Sequence, residues 1–418
     1  MSLVVTTRRT LLVALPFGAA QALLPLPSYS MKIKPSIRNF GKALSYLKDP
    51  ALRSKEIGDA HLKVEGALIS GELFEDIEWR NISFVDCDFL GGYEIGLTAC
   101  VDVRFEDCNF SGVLSWGDTS NVRFLRCVWT GQSVMYGERK SRNTIFDSCM
   151  FVGASNDKNQ WGAVGTHGEA HFIRCKAKRF NLDGDKKLTI ENCELEDVIC
   201  EPSEKYGGSH VLIDQCKLRG FFAMAGRGTL MQSLTIRDTL LENLDLTNAT
   251  VNGDVLLERV KGGLINAGVS AKKFIIRNSV IYGNGRDTSL VMAIDSAEQV
   301  LLEKTDFGNA LALRVNLGPG RPLRDSEWSA MPINEQAVIR DCTLPIVDAS
   351  WLESQHLRIE NNIIGSLDLS NGRLGKFAIS GNTISRSVDF TNTQARESRV
   401  QRLANGQAKL QGSNVRVN

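Results

Sequence analysis

Apolar and polar residues alternate in short runs along this chain, and the runs repeat. Aligned on Cys87, Cys108, Cys127, Cys149, Cys175, Cys193 and Cys216, the sequence shows spacings of 21, 19, 22, 26, 18 and 23 residues. The register continues at Thr239, Val260, Ser279, Thr305, Cys342, Asn362 and Asn382, with the largest gap, 37 residues, before Cys342. We term this the ladder position. Three residues before it stand Phe84, Phe105, Phe124, Phe146, Phe172, Ile190, Ile213, Ile236, Leu257, Ile276, Leu302, Ile339, Ile359 and Ile379, all large and apolar. Five before it come residues such as Ile82, Val103, Val122 and Leu188, and two after it Phe89, Phe110, Trp129, Phe151 and Leu195. Period-two alternation of this kind predicts strands with one buried face. Four residues after the ladder, Gly91, Gly112, Gly131, Gly153, Gly220 and Gly283 supply turns without a Cβ penalty. A degenerate unit with Leu62, Val64, Ala67, Ile69 and Gly71 comes first.

A unit of about 22 residues with one strong strand cannot bury its own inner face, so neighbours must stack. The leucine-rich repeat has a similar period, but β-branched and aromatic residues dominate here and no helical segment recurs. The pattern resembles the parallel β-helix repeat of the pectate-lyase-like superfamily, over residues 62–392. That resemblance implies an all-β fold: a single right-handed parallel β-helix of about fourteen or fifteen coils. It implies no particular activity, since the superfamily includes lyases, hydrolases, epimerases and phage tailspikes. Ile37, Phe40, Leu44 and Leu47 fall on one face of a helix starting near Ser36 and ending before Pro50, a cap within residues 31–61. Residues 393–418 are polar and read as a tail or a loosely docked second cap.

Lys+Arg 49 against Asp+Glu 48 gives a net charge of +1, which argues against a nucleic-acid partner. Residues 1–30 read as a cleavable signal: Arg8 and Arg9, an apolar run from Leu11 to Ala20, then Ala20-Gln21-Ala22. Thr7-Arg8-Arg9-Thr10-Leu11-Leu12 resembles the twin-arginine export motif. Export to the periplasm or medium is therefore expected; the alternative is a cytoplasmic protein starting at Met31. No apolar stretch is long enough for a membrane span in the mature chain. Ten cysteines invite a disulfide framework, but cysteines stacked at about 4.8 Å with parallel side chains do not suit disulfide geometry. They are expected to be reduced, buried packing residues, with no metal site and no cofactor.

Candidate chemistry lies outside the coils. Two residues before the ladder, Asp214, Arg237, Glu258, Arg277, Glu303, Arg340 and Glu360 alternate in sign and predict a salt-bridge ladder. Four before it, Leu212, Thr235, Leu256, Ile275, Leu301 and Val338 form an apolar stripe. It requires a cover, either the insertion from Gly308 to Gln336 or a second subunit or protein partner. Asn181-Leu182-Asp183-Gly184-Asp185 with Gly208-Ser209-His210 is similar to elements of polygalacturonase-like hydrolases, which makes Asp183, Asp185 and His210 the catalytic candidates. Gly-Ser-His departs from that family's Gly-His-Gly, and no downstream Arg-Ile-Lys is found. Leu-Asp also recurs at Leu244-Asp245 and Leu367-Asp368, so Asp183 is expected at a repeating structural position. Trp116, Tyr136, Trp161 and Tyr206 fall 8, 9, 12 and 13 residues after their ladder cysteines, where loops of stacked coils emerge together. Sugar rings stacking on these aromatics are expected to make the chain a binder of an extended polysaccharide. The alternatives are a polysaccharide lyase or glycoside hydrolase, and a non-catalytic interaction scaffold whose partner docks at Leu256, Ile275 and Leu301.

Overall fold

A computed structural model describes residues 38–59, 61–70, 78–90, 95–111, 114–130, 133–134, 142–152, 164–165, 168–182, 186–200, 208–223, 230–247, 249–266, 269–282, 289–291, 297–308, 314–316, 334–401 and 407–417. Strand Leu62–Glu65 pairs in parallel with Glu78–Val85, placing Val64 beside Phe84, and that strand pairs with Ile95–Glu106, placing Phe84 beside Phe105. The same step repeats along the chain up to Gln394–Val400, where Ile379 lies beside Val400. Each strand pairs with the strand one repeat away in sequence, which defines a parallel β-solenoid. The 37-residue gap before Cys342 is still a single step, since Glu303 lies beside Arg340. A second wall of short strands, such as Asp88–Leu90 and Asn109–Phe110, follows each ladder residue. Further on, strands such as Glu194–Cys200 and Lys217–Ala223 continue past a bend into a third wall.

The predicted inward positions form the core. In one coil Val122, Phe124, Cys127 and Trp129 are at most 1% exposed. Because partners sit in exact register, like side chains stack on like. Phe105, Phe124, Phe146 and Phe172 are spaced with ring centroids 4.7 Å apart at each step. A second file, Phe89, Phe110, Trp129 and Phe151, runs beside it at 4.6–4.7 Å. Each buried aromatic contributes roughly 1.5–3 kcal/mol from burial alone.

The corner between the first two walls depends on a feature the apolar pattern does not carry. The residue just before the ladder is left-handed in every coil from Gly66 to Gly381, with φ between +48° and +66°. It is Asp, Asn, Arg, Lys, Gln, Ser or Gly, never β-branched, because a branched Cβ is penalised there. The turn points the ladder side chain inward under the backbone of the preceding coil. Each ladder thiol from Cys87 to Cys216 donates to a carbonyl of that coil at 3.4–3.7 Å, as Cys127 does to Phe105. Backbone N–H groups of the ladder also find side chains: Cys175 donates to Cys193 Sγ (3.2 Å), Cys216 to Thr239 Oγ1 (3.2 Å) and Cys342 to Asn362 Oδ1 (2.8 Å).

All ten cysteines are free and buried. Burial pushes the Cys127 and Cys342 thiols up, Cys342 to about 12, so both stay protonated at neutral pH. Thiol-reagent titration should therefore find the cysteines unreactive in the native protein and all ten reactive in denaturant. Rapid labelling of Cys127 in the folded state would contradict the stacked-thiol interior.

Two short helices close the N-terminal end: α1 (Arg38–Lys48) and α2 (Pro50–Glu56). Ala43 and Leu47 are buried in the core cluster with Leu44 packed against it, so α1 caps the first coil as expected. Pro50 stops α1 but starts α2, where the missing N–H costs nothing, and Asp49 caps by accepting from Leu52 N–H at 2.9 Å. Arg53 Nη1 donates to Arg80 O at 2.6 Å and ties α2 to the solenoid. At the other end the expectation of a polar tail is corrected. Gln394–Val400 pairs with Arg373–Ser380, and Gln407–Lys409 with Ser387–Asp389, so the solenoid continues past residue 392. Backbone hydrogen bonds carry these strands, which is why their weak apolar pattern did not predict them.

Candidate functional site

Seen from outside, the first wall has three parallel rows, each contributed by one register position. Two residues before the ladder is the charged row. Asp214 pairs with Arg237 (2.7 Å), Glu258 with Arg277 (2.8 Å) and Glu303 with Arg340 (2.6 Å), so the predicted alternation resolves into discrete cross-coil pairs. The arginines are exposed while the carboxylates are largely covered, and each pair contributes about 1 kcal/mol or less and mainly favours correct register. In an earlier coil Asp147 occupies this row, and burial pushes its carboxyl up. Ser148, Arg123 and Arg174 outweigh that and hold it below the usual carboxylate range.

The middle row is the apolar stripe. Leu212, Thr235, Leu256, Ile275, Leu301 and Val338 are consecutive register partners, and all are half-buried. A cleft of about 320 Å³ opens over its C-terminal part, with Ile275, Leu301 and Val338 on its floor and Lys273, Gln299, Gln336 and Arg340 around it. Most of the 308–336 insertion expected to cover the stripe lies outside the described residues.

Six residues before the ladder the third row reads His61, Asn81, Asp102, Asn121, Asn143, Glu169, Lys187, His210, Ser233, Asp254, Lys273, Gln299, Gln336, His356 and Lys376, and in the added coil Glu397. Strand pairing joins the row directly from Glu169 to Ser233, from Asp254 to Gln336 and from His356 to Glu397, and none of these residues is buried. Every member carries a hydrogen-bonding side chain. Some bond along the row, Asn121 Nδ2 to Asp102 Oδ1 at 3.0 Å and Asn143 Nδ2 to Asn121 Oδ1 at 2.9 Å. This row was not singled out from the sequence, because its residues share polarity but no residue type.

His210 belongs to that row. Its neighbour Ser209 is buried while His210 is exposed, as strand alternation requires, and His210 Nδ1 shares a hydrogen bond of 2.9 Å with Ser233 Oγ of the next coil. Asp183 and Asp185 lie outside the described residues, as do Tyr136, Trp161 and Tyr206; Trp116 is in strand Leu114–Leu125, with its side chain outside the described set. The recurring aspartates do form a structural set. Asp245, Asp348, Asp368 and Asp389 each accept the backbone N–H two residues on, at 2.8–3.1 Å. Register traces Asp245 back through Phe222 and Ile199 to Asn181, so the repeating position falls on Asn181 in that coil. Among the described residues no group of three or more His, Cys, Asp or Glu side chains is placed to hold a metal ion, and no helix is long and apolar enough to cross a membrane. Comparison of the chain with protein families, with curated proteins and with solved structures finds no match in any of the three.

Proposed function

We propose that the chain binds an extended polysaccharide along the outer face of the first wall, and that it is a β-helix protein of the pectate-lyase-like kind. On this reading it is an exported protein. The observation that supports it is the hydrogen-bonding row from Asp254 to Gln336 lying beside the apolar stripe. Coils repeat about every 4.8 Å, close to the advance of one sugar unit in an extended chain. Hydroxyl groups would meet Gln299 and Gln336 while the C–H faces of the rings rest on Ile275, Leu301 and Val338. The face is also the right width: six residues before the ladder to two before it spans about 13 Å of strand. That holds one polymer chain, whereas a stable protein interface needs about 800 Å² on each partner.

Calorimetric titration with soluble glucan, xylan, mannan and polygalacturonate tests this. At least one should bind, and Gln299→Ala with Gln336→Ala should weaken it about ten-fold, the loss of one or two net hydrogen bonds. The unfolding midpoint should barely change, because both side chains are outside the core. No binding by any of the four, or full binding by the double variant, would refute the proposal. Turnover is a separate matter, read by reducing-end and unsaturated-uronate assays on the same polymers. A second reading rests on the stripe alone: a second copy or a protein partner docked at Leu256, Ile275 and Leu301, which light scattering at rising concentration would reveal as association.

A further inference from the structure

We infer that two copies of the chain associate through their second walls, antiparallel, about a two-fold axis that runs along strand Val280–Ile281. Among the described residues eight large apolar side chains are exposed, and seven of them, including Leu240, Val280, Tyr282 and Ile363, stand on the second wall. Apolar exposure concentrated on one face marks an interaction surface. The wall presents two outward rows, one and three residues after the ladder. The first runs in register from Glu194 to Thr383 over nine coils, with Val280 at its middle.

Charge sets the arrangement. Elsewhere on the surface opposite charges one coil apart bond to each other, as Lys176 does to Glu194 (3.1 Å) and Arg237 to Asp214 (2.7 Å). In this row Lys261 and Asp306 instead stand two coils apart with Val280 between them, and neither is in an ion pair among the described residues. With the walls face to face, the solenoid axes antiparallel and Val280 against Val280 of the partner subunit, each Lys261 meets Asp306 of the partner subunit. The pair forms twice, as an isologous interface requires. The outer steps fit as well. Leu240 meets the partner subunit's Thr343, Lys217 the partner subunit's Ile363 and Glu194 the partner subunit's Thr383, so no like charges oppose. Parallel packing would set each of Lys261 and Asp306 on its own copy, which repels. In the second row Tyr282 is 49% exposed and lies between Gly263 and Gly308 of the adjoining coils. Glycine on both sides keeps the wall flat there, and the two tyrosines meet at the axis with room to stack. Nine coils give a contact about 40 Å long and roughly 10 Å wide, near half of the roughly 800 Å² per partner that a stable interface takes. The dimer is therefore weak and forms at high protein concentration. The first wall is not used, so this association does not depend on the polysaccharide reading.

Sedimentation equilibrium of the full chain, from low micromolar to near-millimolar concentration, tests this. The weight-average mass should rise from the 46.0 kDa of one chain toward twice that value. Lys261→Asp, Asp306→Lys and Tyr282→Asp should each weaken association about ten-fold or more, the first two by setting like charges against each other. The two single charge variants should associate with each other when mixed, and Lys261→Asp/Asp306→Lys should associate as the parent does. That recovery shows that the single variants fail through charge and not through folding. Leu301→Asp, on the first-wall stripe, should leave association unchanged. A parent that keeps the mass of one chain at the highest concentration overturns the inference. So does a double variant as monomeric as the single ones, and so does association abolished by Leu301→Asp, which would put the interface on the stripe.

Discussion

Phe124→Ala is expected to lower stability by about 3–5 kcal/mol, the usual cost of removing a buried aromatic from a packed core. Phe124 is fully buried and stacked between Phe105 and Phe146, both with centroids 4.7 Å away and planes within 5° of parallel. It also meets Trp129 edge-on at 5.3 Å, so its loss removes contacts in both aromatic files. Phe377 is the natural comparison, because among the described residues its one ring contact, with Phe390, lies at 5.9 Å. Phe377→Ala should cost less by about 0.5–1.5 kcal/mol for each aromatic pair it lacks. Each coil touches only its neighbours, so damage in a solenoid should stay local. Amide hydrogen exchange in Phe124→Ala should accelerate between residues 103 and 151 and change little beyond residue 344. A uniform acceleration along the whole chain would mean that the solenoid unfolds as one unit, and the stacked files would not be separable local contributions.

The same files explain what was legible from the sequence. Inward positions are apolar by necessity and repeat at fixed offsets from the ladder, so Phe84, Phe105 and Phe124 reveal wall, period and register together. The left-handed corner leaves a weaker trace. It excludes residues without selecting one, and Arg126, Lys304 and Asp86 have nothing in common but an unbranched Cβ. The outer row is hidden for a related reason. Exposure tolerates any polar residue, so His61, Lys187 and Gln336 align only once the ladder has been found and counted back from. The Leu-Asp recurrence is a short pattern and does not mark every coil, since the repeating position beside Ile199 is Asn181.

Asn362→Leu is expected to cost about 3 kcal/mol or more, because Leu keeps the branched outline of Asn but none of its polar atoms, and the site is only 1% exposed. The reason is the ladder's change of chemistry along the axis. In the first half the Cys175 and Cys193 N–H groups rest on sulfur, a weak acceptor; at Asn362 and Asn382 the ladder is built from amides. Asn362 Oδ1 accepts the Cys342 N–H at 2.8 Å, and its Nδ2 donates to Ile339 O at 3.0 Å and to Asn382 Oδ1 at 2.9 Å. Leu satisfies none of these, and each buried group left unpaired costs about 1–3 kcal/mol. Cys193→Ala removes a thiol acceptor for the Cys175 N–H at 3.2 Å and should cost less, about 1–2 kcal/mol, most of it from lost packing. Asn362→Thr should recover part of the loss, because Thr239, earlier in the same ladder, accepts the corresponding N–H of Cys216. Urea unfolding measures the three costs, and exchange at the Cys342 amide isolates the cause. That amide should lose protection in Asn362→Leu and regain it in Asn362→Thr. If it remains as protected with Leu as with Asn, the ladder works by filling space, and cysteine and asparagine are then interchangeable occupants of one small cavity.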